Sequence, residues 1–134
     1  MEKYNLIFIL IDGARNDRVS KFDKLQRILN DGTYFSQMIT AAPYTIASMN
    51  AIFTGMYGSK NGVDAYNNTF NLRDDCITLT EYLKNEGYST IGDTVNHRVV
   101  PNRGFDQLTE HKELEDNIKE KHLGILKDLN NRDS

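Results

Sequence analysis

The sequence predicts an α/β fold: a three-layer sandwich with a mostly parallel sheet and helices on both faces. Three observations carry that expectation. The Ile-rich run "LIFILI" (Leu6 to Ile11) has the continuous apolar character of a strand buried on both faces. Further short strand-like stretches follow. Amphipathic stretches with helix start and stop signals lie between them. Such alternation makes neighbouring strands parallel, because each return crossing is a helix.

Element by element, "NLIFILI" is the first strand, stopped by Asp12-Gly13. "SKFDKLQRILNDG" reads as a helix capped by Ser20 with Asp23 three residues on. Phe22, Leu25, Ile28 and Leu29 form its apolar face, and Gly32 follows its end. "TYFSQMIT" (Thr33 to Thr40) is β-rich and roughly alternating, so it reads as a second strand, broken by "AAPY". "IASMNAIFTGM" is a short helix packed by Ile46, Met49, Ile52 and Phe53. Tyr57 to Asp75 is loop-like, rich in Gly and Asn. "TLTEYLKNEGY" is a helix with a Thr78–Glu81 capping box, a Leu79, Tyr82 and Leu83 face, and Gly87 at its end. "YSTIGD" is a short strand, and "NHRVVPNRGFD" is irregular. A charged helix is expected from about Thr109 to Asn130, with Leu114, Ile118, Leu126 and Leu129 on one side and His111 and His122 at its surface.

A length of 134 residues favours a single α/β domain over residues 1–134. With 16 Lys and Arg against 19 Asp and Glu, the net charge of -3 argues against a nucleic-acid partner, and the basic residues form no stripe. An anionic substrate stays open, since local fields decide that. The single cysteine, Cys76, cannot form an internal disulfide, which suits a reducing compartment. It has no evident activating partner. "NLIFILI" is too short to span a bilayer and lacks a small-residue cleavage site. The expected location is cytoplasmic, with no membrane partner.

In open α/β sheets, chemistry sits beyond the carboxyl ends of the strands. That places Asp12, Ala41–Thr45 and Asp93–His97 at the working edge. A carboxylate ending a buried strand needs a metal, an Arg or a helix N-terminus beside it. The plainer reading makes Asp12 a turn residue before Gly13, pairing with Arg15. Thr45 opens a helix. Its plainer role is an N-cap, but a helix N-terminus also receives anions, and a nearby divalent metal would make its hydroxyl a competent nucleophile.

The order of Asp12, the Leu25–Gly32 helix, Phe35, Thr45, Thr54-Gly55, Tyr57 and Asn61-Gly62 resembles the alkaline phosphatase/sulfatase superfamily. "TLTEYLKNEGYSTIG" and "RGFD" (Arg103 to Asp106) extend the resemblance, which covers roughly residues 4 to 106. It implies an alkaline phosphatase-like fold, with Asp12 as a metal ligand and Thr45 as both ligand and nucleophile. Sulfatases carry Cys-x-Pro-Ser-Arg at the nucleophile, with the Cys oxidised to formylglycine. Here Thr45, Ile46, Ala47, Ser48 and Met49 stand in that place, without the Cys, Pro or Arg. Sulfatases also open with two adjacent acids, where this chain has Asp12-Gly13. Both departures are similar to the phosphodiesterase and phosphoglycerate-mutase branches, which use two divalent metals, often zinc or manganese. By the same resemblance Asn67 and Asn68 fall near a phosphoryl-contacting Asn, and His97 near an active-site His, although Val95 replaces the expected Lys. For Asn67 and Asn68 a turn pair is the plainer reading, and for His97 a solvent-exposed loop residue.

The expected activity is therefore hydrolysis or transfer of a small-molecule phosphate ester by a Thr nucleophile. The alternatives are a sulfuric ester hydrolase, or a non-catalytic scaffold that keeps the fold. A homo-oligomer is compatible with either. The resemblance also implies a second Asp and His ligand set, which no segment after Asp106 supplies. The expectation is thus an incomplete, N-terminal portion of a longer catalytic domain, inactive alone.

Overall fold

Turns and caps set most element boundaries in the computed structural model of the chain, which describes residues 4–19, 21–64, 71–111 and 117–132. The chain divides into two compact units, residues 1–39 and 40–134.

In the first unit, Asp12-Gly13 makes a tight turn, followed by α1 (Asn16–Val19) and α2 (Asp23–Asp31). Phe22 occupies the N-cap position of α2 without a side-chain cap, and the proposed cap Ser20 lies outside the described residues. Leu25 and Leu29 are half-buried, whereas Phe22 and Ile28 are exposed. Tyr34 Oη donates to Asn16 Oδ1 (2.6 Å), fastening the segment after α2 to α1.

Neither expected strand forms in this unit. Leu6 to Ile11 carry no strand assignment, with exposures of 48–74%, and residues 33–39 are exposed as well. The reason is physical. A strand needs a partner for its N–H and C=O groups, and among the described residues no strand pairs with either segment.

The second unit holds the core. The helix α3 (Thr45–Thr54) buries Ala47, Met49, Asn50, Ala51 and Phe53, joined by Val63 and Cys76. Fully burying a side chain the size of Met49 or Phe53 contributes roughly 1.5–3 kcal/mol. Ile52, expected in this core, is 47% exposed. One helical turn, α4 (Gly58–Asn61), interrupts the expected loop. It places Asn61 where no solvent reaches it. Asn61 Nδ2 donates to Thr54 Oγ1 and Met56 O, and its Oδ1 accepts from Val63 N at 2.8 Å. The Asn-Gly pair is thus a clamp on the turn after α3.

The helix α5 (Leu79–Asn85) starts with the expected capping box: Glu81 N donates to Thr78 Oγ1, and Thr78 N donates to Glu81 Oε2. Leu79 and Leu83 are half-buried, but Tyr82 is 57% exposed, so the apolar face is narrower than its pattern. Then come β1 (Ile91–Thr94), a 3-10 helix (His97–Val99) and β2 (Gln107–Glu110). β1 and β2 pair in parallel, Ile91 opposite Gln107 and Thr94 opposite Glu110. This two-stranded ladder is the whole sheet among the described residues; the broad sheet and three layers are not seen. The last helix, α6 (Ile118–Arg132), begins later than expected, because Thr109 and Glu110 belong to β2. Leu126 is half exposed, and Leu114 lies outside the described residues.

"RGFD" organises this unit. Arg103 donates to the carbonyls of Cys76 and Arg73 and meets Glu81 Oε2 at 3.1 Å, while its own carbonyl accepts from Thr80 Oγ1 at 2.6 Å. Gly104 sits at φ +81, and a Cβ there would lie 2.3 Å from Glu81 N. Phe105 packs near Phe53, ring centroids 6.3 Å apart. Asp106 Oδ2 accepts from Thr90 N at 2.9 Å, and Lys84 meets its other oxygen at 2.6 Å. Lys84, then the Thr90 amide, hold the Asp106 carboxyl at about 2.

Candidate active site

Asp12 lies in the first unit, exposed, with Oδ1 accepting from Gly13 N at 2.9 Å. Arg15 does not pair with it; the guanidinium binds Asp17 through two bonds of 2.8 Å, so the expected Asp12–Arg15 pair is absent. The turn reading of Asp12 therefore holds in part, with its own backbone as partner.

Thr45 lies in the second unit and is the first residue of α3, not its cap. Tyr44 holds the N-cap position with extended backbone and supplies no side-chain cap. Its phenol donates instead to Asp64 O. The Thr45 hydroxyl, half-buried, has no hydrogen bond to a described residue. Nor does the first turn of α3 carry an acidic side chain. The positive end of the helix dipole is thus not neutralised by the helix's own residues. The loop entering α3 is closed locally. Thr40 Oγ1 donates to Ala42 O (2.8 Å), so its 2.9 Å contact with Ser48 must be donated by Ser48 Oγ.

His97 opens the 3-10 helix, which packs against α3. Its ring Nδ1 and its backbone N–H both meet Glu110 Oε1 at 2.6 Å. The His97 amide and then its ring lower the Glu110 carboxyl pKa. Asn67 and Asn68 lie outside the described residues.

A second constellation was not expected. Asp93, at the sheet's carboxyl edge, accepts from His111 Nδ1 and His122 Nε2, both at 2.8 Å from Oδ2. Its Oδ1 takes Thr109 Oγ1 at 2.5 Å and Lys121 Nζ at 2.7 Å. Burial alone would raise the Asp93 pKa, but the donors Lys121, Thr109, His122 and His111 outweigh it and hold the carboxyl at about 2. His111 therefore does not lie on a helix surface: it follows β2, with a side chain 9% exposed. His122 is on α6 as expected, but it faces Asp93. The usable sequence signal was Asp93 at a strand's carboxyl end.

A model of the family described as Sulfatase matches residues 4–126. The chain belongs to the sulfatase family. That confirms the resemblance to the alkaline phosphatase/sulfatase superfamily and its α/β class. A "Sulfatase" of Formosa agariphila is 28% identical over 122 residues, covering 80% of this chain and 24% of the relative. An "Ulvan-active sulfatase" of the same organism is 30% identical over 97 residues, covering 67% of this chain and 19% of the relative. The chain thus spans about a quarter or less of the length of these relatives. No solved structure matches the chain.

Divalent metal ions go with this family. Asp12 and Thr45 present oxygen donors only, the donor type hard divalent cations accept.

Proposed function

We propose that this sulfatase-family chain is the N-terminal portion of a longer, metal-dependent hydrolase of anionic esters, with Thr45 as its nucleophile. The observation that carries this is the Thr45 hydroxyl at the start of α3, without a described hydrogen-bond partner and at an uncompensated helix N-terminus. The exposed run Leu6–Ile11 supports the longer domain, since a parallel sheet would bury it. The cytoplasmic assignment rests on the single buried thiol of Cys76.

The relatives' names favour a sulfate ester as substrate. Thr45 Oγ1 bonds to sulfur as the bond from sulfur to the ester oxygen breaks, and the hydroxyl proton leaves with the alcohol. Water then cleaves the Thr45 ester, restoring the hydroxyl and releasing sulfate. Free N–H groups at the start of α3 bind the anionic oxygens through the transfer. Asp12 and Thr45 would hold the divalent metal, which supplies Lewis-acid stabilisation of charge when bound. His97 meets Glu110 through Nδ1, which leaves its other ring nitrogen to contact the ester in this reading.

A phosphate ester is the second reading. It is favoured by Thr45-Ile46-Ala47-Ser48-Met49, which lacks the Cys, Pro and Arg of formylglycine chemistry. Assays of the full-length protein on an aryl sulfate and the matching aryl phosphate separate the two. Thr45→Ala is expected to abolish turnover of the preferred ester, roughly a thousandfold or more. Unchanged turnover in that variant would falsify the nucleophile assignment.

A further inference from the structure

We propose that Asp93, His111 and His122 form a second metal site, for a divalent transition ion of the zinc class, built from residues outside the Asp12 and Thr45 set. One carboxylate oxygen and two imidazole nitrogens converge, all within 4.8 Å of one another. Both nitrogens already lie 2.8 Å from Asp93 Oδ2. Ligand atoms around tetrahedral zinc stand roughly 3.3 Å apart, given metal–ligand lengths of about 2.0–2.2 Å. An ion therefore enters by moving the three atoms apart by about half an ångström. Each neutral ring then carries its proton on the other nitrogen, so that the nitrogen that now donates its N–H to Asp93 presents a lone pair to the ion.

The surroundings suit a site rather than a chance contact. Two imidazoles with one carboxylate select zinc-type ions over magnesium or calcium. Asp93 is 5% exposed, and its second oxygen is fixed by Thr109 Oγ1, the kind of support that orients a metal-bound carboxylate. His122 is 47% exposed, so the trio opens to solvent on that side, leaving a path in and a position for water. The two rings stand edge to face, 86° apart, and do not stack over the position an ion would take. Lys121 Nζ, on Asp93 Oδ1, opposes a second positive charge and is the residue that limits affinity. The ligands come from β1, the residue after β2, and α6, so a bound ion ties that helix to the sheet edge.

The test uses the full-length protein carrying Asp12→Ala and Thr45→Ala, which removes the proposed ester site. Cobalt titration is expected to give the visible bands of four-coordinate ions, displaced by zinc in a chelator competition. Adding His111→Ala and His122→Ala should remove one equivalent of bound ion and those bands. Lys121→Met, which cannot mimic unfolding by binding better, should lower the zinc Kd. Bands that survive loss of both histidines overturn the assignment. So does a protein with no bands before they are removed, or zinc affinity that Lys121→Met leaves unchanged or weakens.

Discussion

The run Leu6–Ile11 and the strand β1 are both apolar or β-rich stretches followed by acidic or polar turns, yet only β1 pairs. The difference lies in what surrounds them. β1 has "RGFD" immediately before its partner β2, and Thr90 and Asp106 lock the register through four hydrogen bonds. Leu6–Ile11 has the stronger hydrophobic character but joins no sheet among the described residues and stays exposed. Intrinsic strand character is therefore weaker evidence than the presence of a paired edge.

The sharpest way to break the comparison is at glycine. Gly104 and Gly13 both have positive φ, +81 and +68, but Gly104 abuts the backbone of Thr80 and Glu81, whereas Gly13 faces open space. Gly104→Ala is expected to cost roughly 4 kcal/mol or more in the second unit, read by urea unfolding. Gly13→Ala costs about 1 kcal/mol of local strain and leaves that transition in place. Equal effects from the two substitutions would show that the units do not differ in packing as described.

An intermediate effect comes from acid. The Asp106 carboxyl, held at about 2 against an ordinary 3.8, is depressed by folding. Its contribution is present above about pH 4 and is lost as pH falls through 2. Unfolding midpoints of Asp106→Asn and the parent chain should differ at pH 7 and converge near pH 2. A gap that persists at pH 2 would assign the effect to packing rather than charge.

The smallest effect is expected at Ile9, 74% exposed. In the 134-residue chain Ile9→Ser changes stability by about 0.5 kcal/mol or less. If further strands cover it in a longer protein, the same change there costs roughly 2 kcal/mol. Equal small effects in both would remove the burial argument for the longer domain.

Much of this was legible where the determining partners sit close in sequence. The Thr78–Glu81 box and the Asp12-Gly13 turn are local patterns, and both formed. Thr45 was one position off, because capping fell to Tyr44, a residue with no capping preference. The Asp93 cluster was not legible. Its histidines lie 18 and 29 residues away, and only the return of α6 brings His122 to β1. β2 was missed because Gln107–Glu110 is polar, and its pairing depends on Asp106 rather than on hydrophobic pattern.

The Arg103–Gly104 bracket also has a kinetic side. Its bonds close loops of modest length, Thr80 to Arg103 and Thr90 to Asp106, so little chain entropy opposes them. Contacts of such low order form early, and segments this short are complete soon after they leave the ribosome. Residues 76–110 are thus the expected folding nucleus of the second unit, present before any strand that would later shield Leu6–Ile11.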